Sequence, residues 1–353
     1  MQRREFTQLL SALAVTPAQA NVALLTHADG PHLSAYIEGL AKTPEVAKVW
    51  LCDEATEAQV RKGLGAKLAG VYKSPAELFK ANKPQLAIIP MEAKLAPPVI
   101  DAALNAGCHV MAEKPACVKA EDFAPLVEKA NAKNRHLMLA LSNRVDPVMR
   151  QARRLVQDGT IGKVYGMEMH TIADQTRLTK PAYHQTWTAK KDRAGGGHLI
   201  WLGIHWLDLA VYITGSKIEQ VTGFTGNVGG QPIDTEDAAA VALKFENGTF
   251  GTLTSGYYID RGKHLFIKVW GSQGWLEIHH DRPDNPLEWQ RHNEPIERMK
   301  PTPQAGYTPW VNHVVRAALG LEPPVLTANE SLQALKTVFA AYKAAATGRT
   351  QSV

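Results

Sequence analysis

The side chains best suited to proton chemistry gather in Ala194–Ile213, AGGGHLIWLGIHWLDLAVYI. His198, Trp201, His205 and Asp208 fall three, four and three positions apart, a spacing that stacks them on one face of an α-helix. An imidazole exchanges protons near neutral pH, and a carboxylate one turn on can orient it. Leu199, Leu202, Trp206, Leu209 and Ile213 form the adjoining apolar stripe. A structural reading competes, because His205 and Asp208 can also satisfy each other inside a core. A second reactive group stands in Val110-Met111-Ala112-Glu113-Lys114-Pro115-Ala116. A lysine at the carboxyl end of a buried strand can donate to a substrate hydroxyl and stabilise charge that develops there, with the proline stiffening its turn.

From Asn21 to about Leu141, apolar runs alternate with helical patterns. Val22–Leu25, Val46–Leu51, Leu86–Ile89, His109–Ala112 and Leu137–Leu141 read as strands. His32–Leu40, Thr56–Leu64, Pro75–Lys80, Pro98–Asn105 and Ala120–Ala132 read as helices. This alternation predicts an α/β domain, a parallel doubly wound sheet that binds ligands beyond the carboxyl ends of its strands. Thr26-His27-Ala28-Asp29-Gly30-Pro31 stands where a dinucleotide fold has its G-x-G-x-x-G loop, and keeps only Gly30. Asp53, ending the second strand, suits hydrogen bonds from an adenosine ribose and so favours NAD over NADP; it equally suits a helix cap. Thr26, Ala28, Gly30, Asp53, Pro90, Glu113 and Lys114 are the expected cofactor contacts.

Beyond Asn143 the pattern becomes α+β. Pro147–Asp158 reads as a helix, and Thr308–Leu319 and Ala328–Ala346 as two closing helices. Between them Lys163–Ile172, Ile218–Thr225, Asp237–Phe245, Thr249–Tyr257, His264–Val269 and Trp275–His279 read as strands. Short connections, with Asn247-Gly248 signalling a type I′ hairpin, predict a large open, mainly antiparallel sheet. The expected division is residues 21–142 for the dinucleotide and 143–353 for substrate and oligomerisation. Residues 1–20 stand apart. Arg3-Arg4-Glu5-Phe6, then Leu9-Leu10 and Ala18-Gln19-Ala20, resemble a twin-arginine export signal; a frayed helix on a cytoplasmic protein is the other reading. A formal net charge of +5 over 353 residues, with no basic clump longer than Lys190–Arg193, argues against a nucleic-acid partner. No run of about eighteen apolar residues occurs, so no membrane-spanning helix is expected. Cys52, Cys108 and Cys117 fit neither a metal site nor a disulfide framework.

Together these motifs resemble the glucose–fructose oxidoreductase and inositol dehydrogenase (Gfo/Idh/MocA) family of sugar oxidoreductases. The resemblance rests on Ala106-Gly107-Cys108-His109-Val110 running into Glu113-Lys114-Pro115, and on Asn143-Arg144. It also rests on Gly195–Gly197 followed by Gly203, His205 and Asp208, and on Thr235-Glu236-Asp237. It implies a Rossmann domain followed by an open sheet whose exposed face pairs subunits, as a homodimer or homotetramer. It implies NAD as cofactor, a carbohydrate substrate, Lys114 as the substrate-contacting lysine and His205 as general acid/base. The expected substrate-binding residues are Asn143, Arg144 and Asp208, with His198 taking the polar role and Trp187 and Trp201 forming a stacking platform for a sugar face, packing in the core being the other reading of each tryptophan. Two positions depart from the family pattern: the reduced glycine loop, and Trp201, which stands for an aspartate four residues before the histidine. Two functions remain open, an NAD-dependent oxidoreductase of a sugar, polyol or glycoside, and a non-catalytic sugar or nucleotide sensor. An exported oxidoreductase meets no soluble NAD pool. The first reading therefore carries a corollary: retained NAD and redox-neutral chemistry, glycoside cleavage by oxidation and elimination included, with His205 or His198 as base.

Overall fold

A computed structural model describes residues 18–279, 281–302 and 306–353; nearly all of the export-like segment lies outside the described residues. The first half contains β1 (Ala20–Leu25), α1 (Leu33–Lys42), β2 (Val46–Cys52), α2 (Glu57–Leu64), β3 (Leu68–Tyr72) and α3 (Pro75–Ala81). It continues with β4 (Leu86–Ile89), α4 (Ala96–Asn105), β5 (His109–Ala112), α5 (Ala120–Ala132) and β6 (Leu137–Leu139). The six strands form one parallel sheet in the order β3-β2-β1-β4-β5-β6. Strand order reverses between β1 and β4, which opens a crevice beyond their carboxyl ends. All four residues of β4 are fully buried, as expected where helices cover both faces of a sheet. Strand β3 carries no such apolar run: it is an edge strand, part-buried and interrupted by Gly70, so the sequence pattern does not mark it.

The second half comprises α6 (Pro147–Gln157), β7 (Val164–Asp174), α7 (Pro181–His184), α8 (Lys191–Ala194), α9 (Ile204–Thr214), β8 (Ile218–Gly226) and β9 (Ala238–Phe245). After these come β10 (Phe250–Ile259), β11 (Lys263–Gly271), β12 (Gly274–His279), β13 (Leu287–Arg291) and β14 (Glu297–Arg298). The chain ends with α10 (Tyr307–Ala318), α11 (Ala328–Thr347) and β15 (Gln351–Ser352). Nine strands form a sheet in the order β14-β13-β12-β11-β7-β10-β9-β8-β15. Its neighbours are antiparallel except β7 and β10, which run parallel at the centre. The short strand β13 and the two edge strands β14 and β15 lie beyond those the apolar pattern marks. The β9–β10 turn also differs from the type I′ expectation. Only Gly248 takes a positive φ, +84°, and Gly248 donates to the Phe245 carbonyl, the geometry of a three-residue loop with a bulged glycine.

Helices cover one face of this sheet, burying Met169, Leu253, Ile267 and Leu276. On the opposite face Phe224, Phe250 and Trp270 are exposed, Phe224 at 81 %. The last two helices return to the first sheet: α10 packs on α1, and α11 on α5, β6 and β8. Ser331 Oγ of α11 accepts from the Leu139 amide of edge strand β6 at 3.2 Å. One continuous apolar core therefore runs through both halves. Among the described residues no helix is long and apolar enough to cross a membrane.

Candidate active site

Beyond the carboxyl ends of β5 and β6, closed by the start of α9 and by β7, β10 and β11, lies a cavity of about 380 Å³. That volume suits a small molecule. Lys114, Asn143, Trp201 and His205 line it. Lys114 follows β5 with its side chain 2 % exposed. Its Nζ donates to the Trp201 carbonyl at 2.8 Å, stands 4.0 Å from the centroid of the Trp201 ring, and is 3.9 Å from Glu113 Oε1. Burial pushes this amine down to about 8; Glu113 opposes the fall and Arg177 adds to it.

Glu113, fully buried, lies beside Lys114 and is met by three further protein groups. The hydroxyls of Tyr36 and Tyr307 both donate to Oε2, the latter at 3.2 Å, and His32 Nδ1 is 3.3 Å away. Burial alone would raise the Glu113 carboxyl, but His32, Lys114 and Tyr36 hold it below its ordinary value.

The position of His205 follows from the three glycines. Gly195 takes φ +83°, and a Cβ on Gly197 would lie 1.8 Å from the Glu236 carbonyl oxygen. The buried Glu236 carboxylate accepts from the Gly197 amide at 2.6 Å, the Leu199 amide at 3.0 Å and the Tyr342 hydroxyl at 2.8 Å. It thereby satisfies amides that open the helix, which would otherwise be orphaned. Burial raises this carboxyl, and the same three bonds oppose the rise. Leu199–Gly203 is a π-helix ahead of α9. Its wider turn shifts the helical phase, so the single face expected for His198, Trp201, His205 and Asp208 does not form.

Four expected substrate contacts, His198, Asp208, Arg144 and Trp187, are corrected, since none of them lines the cavity. His198 is fully buried, with Nδ1 2.7 Å from Ser255 Oγ and its ring edge-on to Tyr257; burial pushes it down to about 3. It does not line the cavity and is not placed to act as a base. Asp208 does not orient His205. It accepts from Arg144 Nε at 3.0 and 3.1 Å and from Nη2 at 2.7 Å. Arg144, 1 % exposed, also donates to Glu330 and the Val325 carbonyl, so it joins the turn after β6 to α9 and α11. Trp187 is buried behind Trp201, ring centroids 5.3 Å apart, and is not among the residues lining the cavity.

At the adenosine end, Asp53 Oδ1 caps the Ala55 amide at 3.2 Å while Oδ2 is buried with no hydrogen-bond partner among the described residues. A ribose hydroxyl supplies the donor this oxygen lacks, so these residues fit NAD. Between the two ends the first βα turn is drawn tight. The Thr26 hydroxyl donates to the Pro90 carbonyl at 3.0 Å, and His27 Nε2 accepts from the Glu92 amide at 3.0 Å. A Cβ on Gly30 would lie 2.2 Å from Thr26 Oγ1. Thr26, Gly30 and Pro90 thus join β1 to β4, and Ala28 is exposed in the turn. A tie from the second half crosses here: Arg193 forks onto Glu92 at 2.7 and 2.5 Å, and the Trp187 indole N–H donates to the Asp29 carbonyl at 3.4 Å.

Residues 26–141 match the model of the oxidoreductase family with an NAD-binding Rossmann fold, and residues 149–277 match the GFO/IDH/MocA C-terminal domain. The chain belongs to the Gfo/Idh/MocA oxidoreductase family. Levoglucosan dehydrogenase of Pseudarthrobacter phenanthrenivorans is 23 % identical over 52 % of each chain. Myo-inositol 2-dehydrogenase of Thermotoga maritima is 26 % identical over 61 % of this chain and 62 % of its own. The match therefore spans only half to three-fifths of these relatives. The crystal structure of aldose-aldose oxidoreductase from Caulobacter crescentus, with glycerol, has the same fold: TM-score 0.80 at 22 % identity, over 95 % of this chain and 100 % of that one.

Gly197→Ala is expected to lower the free energy of unfolding by about 2 kcal/mol or more, read as a shift in urea midpoint. Gly248→Ala, at positive φ but with open space around it, is expected to cost about 1 kcal/mol. Equal losses at the two positions would contradict the assigned clash with Glu236.

Proposed function

We propose that this chain is an NAD-dependent oxidoreductase acting on a carbinol of a sugar, polyol or glycoside. One observation carries the reading: Lys114 and His205 line the same cavity. His205 removes the hydroxyl proton, and Lys114 steadies the oxygen as negative charge develops on it. Bound NAD supplies a hydride acceptor there. Asp53 holds the ribose at the other end of the crevice, and Glu113 keeps Lys114 in position. The levoglucosan and inositol dehydrogenases among its relatives support a sugar or polyol as substrate.

We further propose that NAD stays bound through turnover and that the reaction is redox-neutral, either between two sugars or as glycoside cleavage by oxidation and elimination with His205 as base. The Arg193–Glu92 fork and the Trp187–Asp29 contact across the first βα turn support retention. A structural relative named an aldose-aldose oxidoreductase supports a sugar on each side of the reaction. The paired arginines near the N-terminus support a periplasmic or secreted location. The exposed Phe224, Phe250 and Trp270 support pairing of two or four copies through the open sheet.

Lys114→Ala and His205→Ala are each expected to lower kcat/KM by about a hundredfold or more on the sugar or polyol turned over. A protonated Lys114 is present below about 8 and lost above it, so turnover falls as pH rises through that value. Lys114→Arg, which stays charged, slows the reaction but abolishes this alkaline limb. A limb that survives in Lys114→Arg belongs to another group. Binding heat with no turnover under any sugar would instead favour the sensor.

NAD is expected to co-elute with the protein in gel filtration and to be released on denaturation, identified by mass spectrometry. Arg193→Ala is expected to increase its loss on the column. NADH that accumulates from freely exchanging cofactor would contradict redox-neutral turnover.

Light scattering is expected to give the mass of two or four chains, and the Phe224→Asp, Phe250→Asp double variant the mass of one. A monomeric parent chain would remove the pairing proposal.

A further inference from the structure

The catalytic pair is only part of the cavity lining. The same cavity is also walled by β7, β10, β11 and the segment after β7, which carry chemistry that proton transfer does not use. Arg177, Lys263 and Lys114 line the cavity against a single lining carboxylate among the described residues, Asp281. Asp281 Oδ2 accepts from the Leu265 amide at 3.3 Å, so part of its capacity is spent on the neighbouring strand. Among the described residues neither Arg177 nor Lys263 has a carboxylate within ion-pair distance.

Arg177 is held in advance of any ligand. Its Nη2 donates to the Tyr257 hydroxyl at 2.5 Å, and its guanidinium lies 4.8 Å from the Tyr257 ring centroid and 5.8 Å from that of Tyr183. A fork fixed by an aromatic face and one hydroxyl keeps further N–H donors available, in the geometry that suits a carboxylate or phosphate. Lys263 pairs with Ala173 in the β11–β7 ladder and Leu265 with Thr171, so all four share the cavity face of the sheet.

Two buried polar atoms in the same cavity are unsatisfied. Thr171, 1 % exposed, has no hydrogen-bond partner for Oγ1 among the described residues, and neither has the Trp201 indole N–H. Desolvated donors and acceptors of this kind have a cost unless a ligand meets them. Sugar hydroxyls do so.

We propose that the substrate is an anionic sugar, whose carboxylate or phosphate is gripped by Arg177 and Lys263 while ring hydroxyls meet Thr171 Oγ1 and the Trp201 indole N–H. The inference rests on the reading of this cavity as the sugar site of an oxidoreductase, and it names the class of sugar. It also assigns a role to Trp201: its ring and carbonyl hold Lys114, and its N–H faces substrate.

The test is calorimetric titration of the NAD-loaded protein with glucose, glucuronate and glucose 6-phosphate, with redox turnover followed in the same samples. One anionic sugar is expected to bind about tenfold tighter than glucose, by an advantage that shrinks with added salt. Preference for glucuronate identifies a carboxylate, and preference for glucose 6-phosphate a phosphate monoester. In R177Q the advantage falls to near parity, and K263Q removes a smaller part of it. Arg177 and Lys263 are both exposed, so the two variants leave the apolar core intact. Parity of the three ligands, failure of both anions to bind, or an advantage unchanged in R177Q and K263Q overturns the inference. Turnover of glucose without anionic preference sinks this inference alone. Tight anion binding with no turnover of any sugar sinks the oxidoreductase reading and leaves the anionic subsite standing.

Discussion

The buried carboxylate of Glu236 is the constraint on which the site depends. It sits where the chain leaves three glycines and enters the helix that carries Trp201 and His205, and it accepts from two amides and a tyrosine hydroxyl. A charge so deeply desolvated is tolerable only with its acceptor capacity filled. The filling in turn fixes where the helix begins. The π turn follows at once, and with it the angle at which Trp201 and His205 meet the cavity. Glu236 comes from the segment that leads into β9 and Tyr342 from the last long helix, so the geometry of the reacting end is set by elements far apart in sequence.

Trp201 illustrates how a departure from a family pattern can be absorbed. Where the pattern has a carboxylate, this chain offers Lys114 a carbonyl oxygen and the face of an indole ring. Both attract a cation, and neither carries a full charge. With only Glu113 as a formal counter-charge and burial on all sides, the amine ionises less readily than an ordinary lysine. Electrostatic control of the lysine therefore rests on the residue beside it and on the two tyrosines and histidine behind that residue.

The parallel sheet was legible because burial on both faces leaves unbroken apolar runs, as in Leu86–Ile89 and His109–Ala112. Leu68–Tyr72 was not, since an edge strand needs no such run and Gly70 interrupts it. Lys114 and His205 were legible by type and place. The role given to His198 failed because spacing was converted to direction with an α-helical period, and a π turn stands between it and His205; Asp208 shares α9 with His205 but is taken by Arg144. Arg144 was noticed as part of a motif, yet its partners lie in α9 and α11, and no local signal gives such pairings. Glu236 was noticed in the same way, and its role needed the clash at Gly197 to become visible. Arg177 and Thr171 were missed altogether. Each is an unremarkable residue until the sheet brings it to the cavity.

The return of α11 to β6 bears on how the protein is made. A bare edge strand is a template for another chain, and here Ser331 and the helix around it cover that edge. Ser331 is synthesised almost last. The dinucleotide-binding sheet, though encoded first, emerges from the ribosome with its β6 margin open and a stretch of apolar surface waiting for a helix some two hundred residues downstream. Synthesis therefore leaves a long interval in which a sheet complete in its strands still has that margin uncovered.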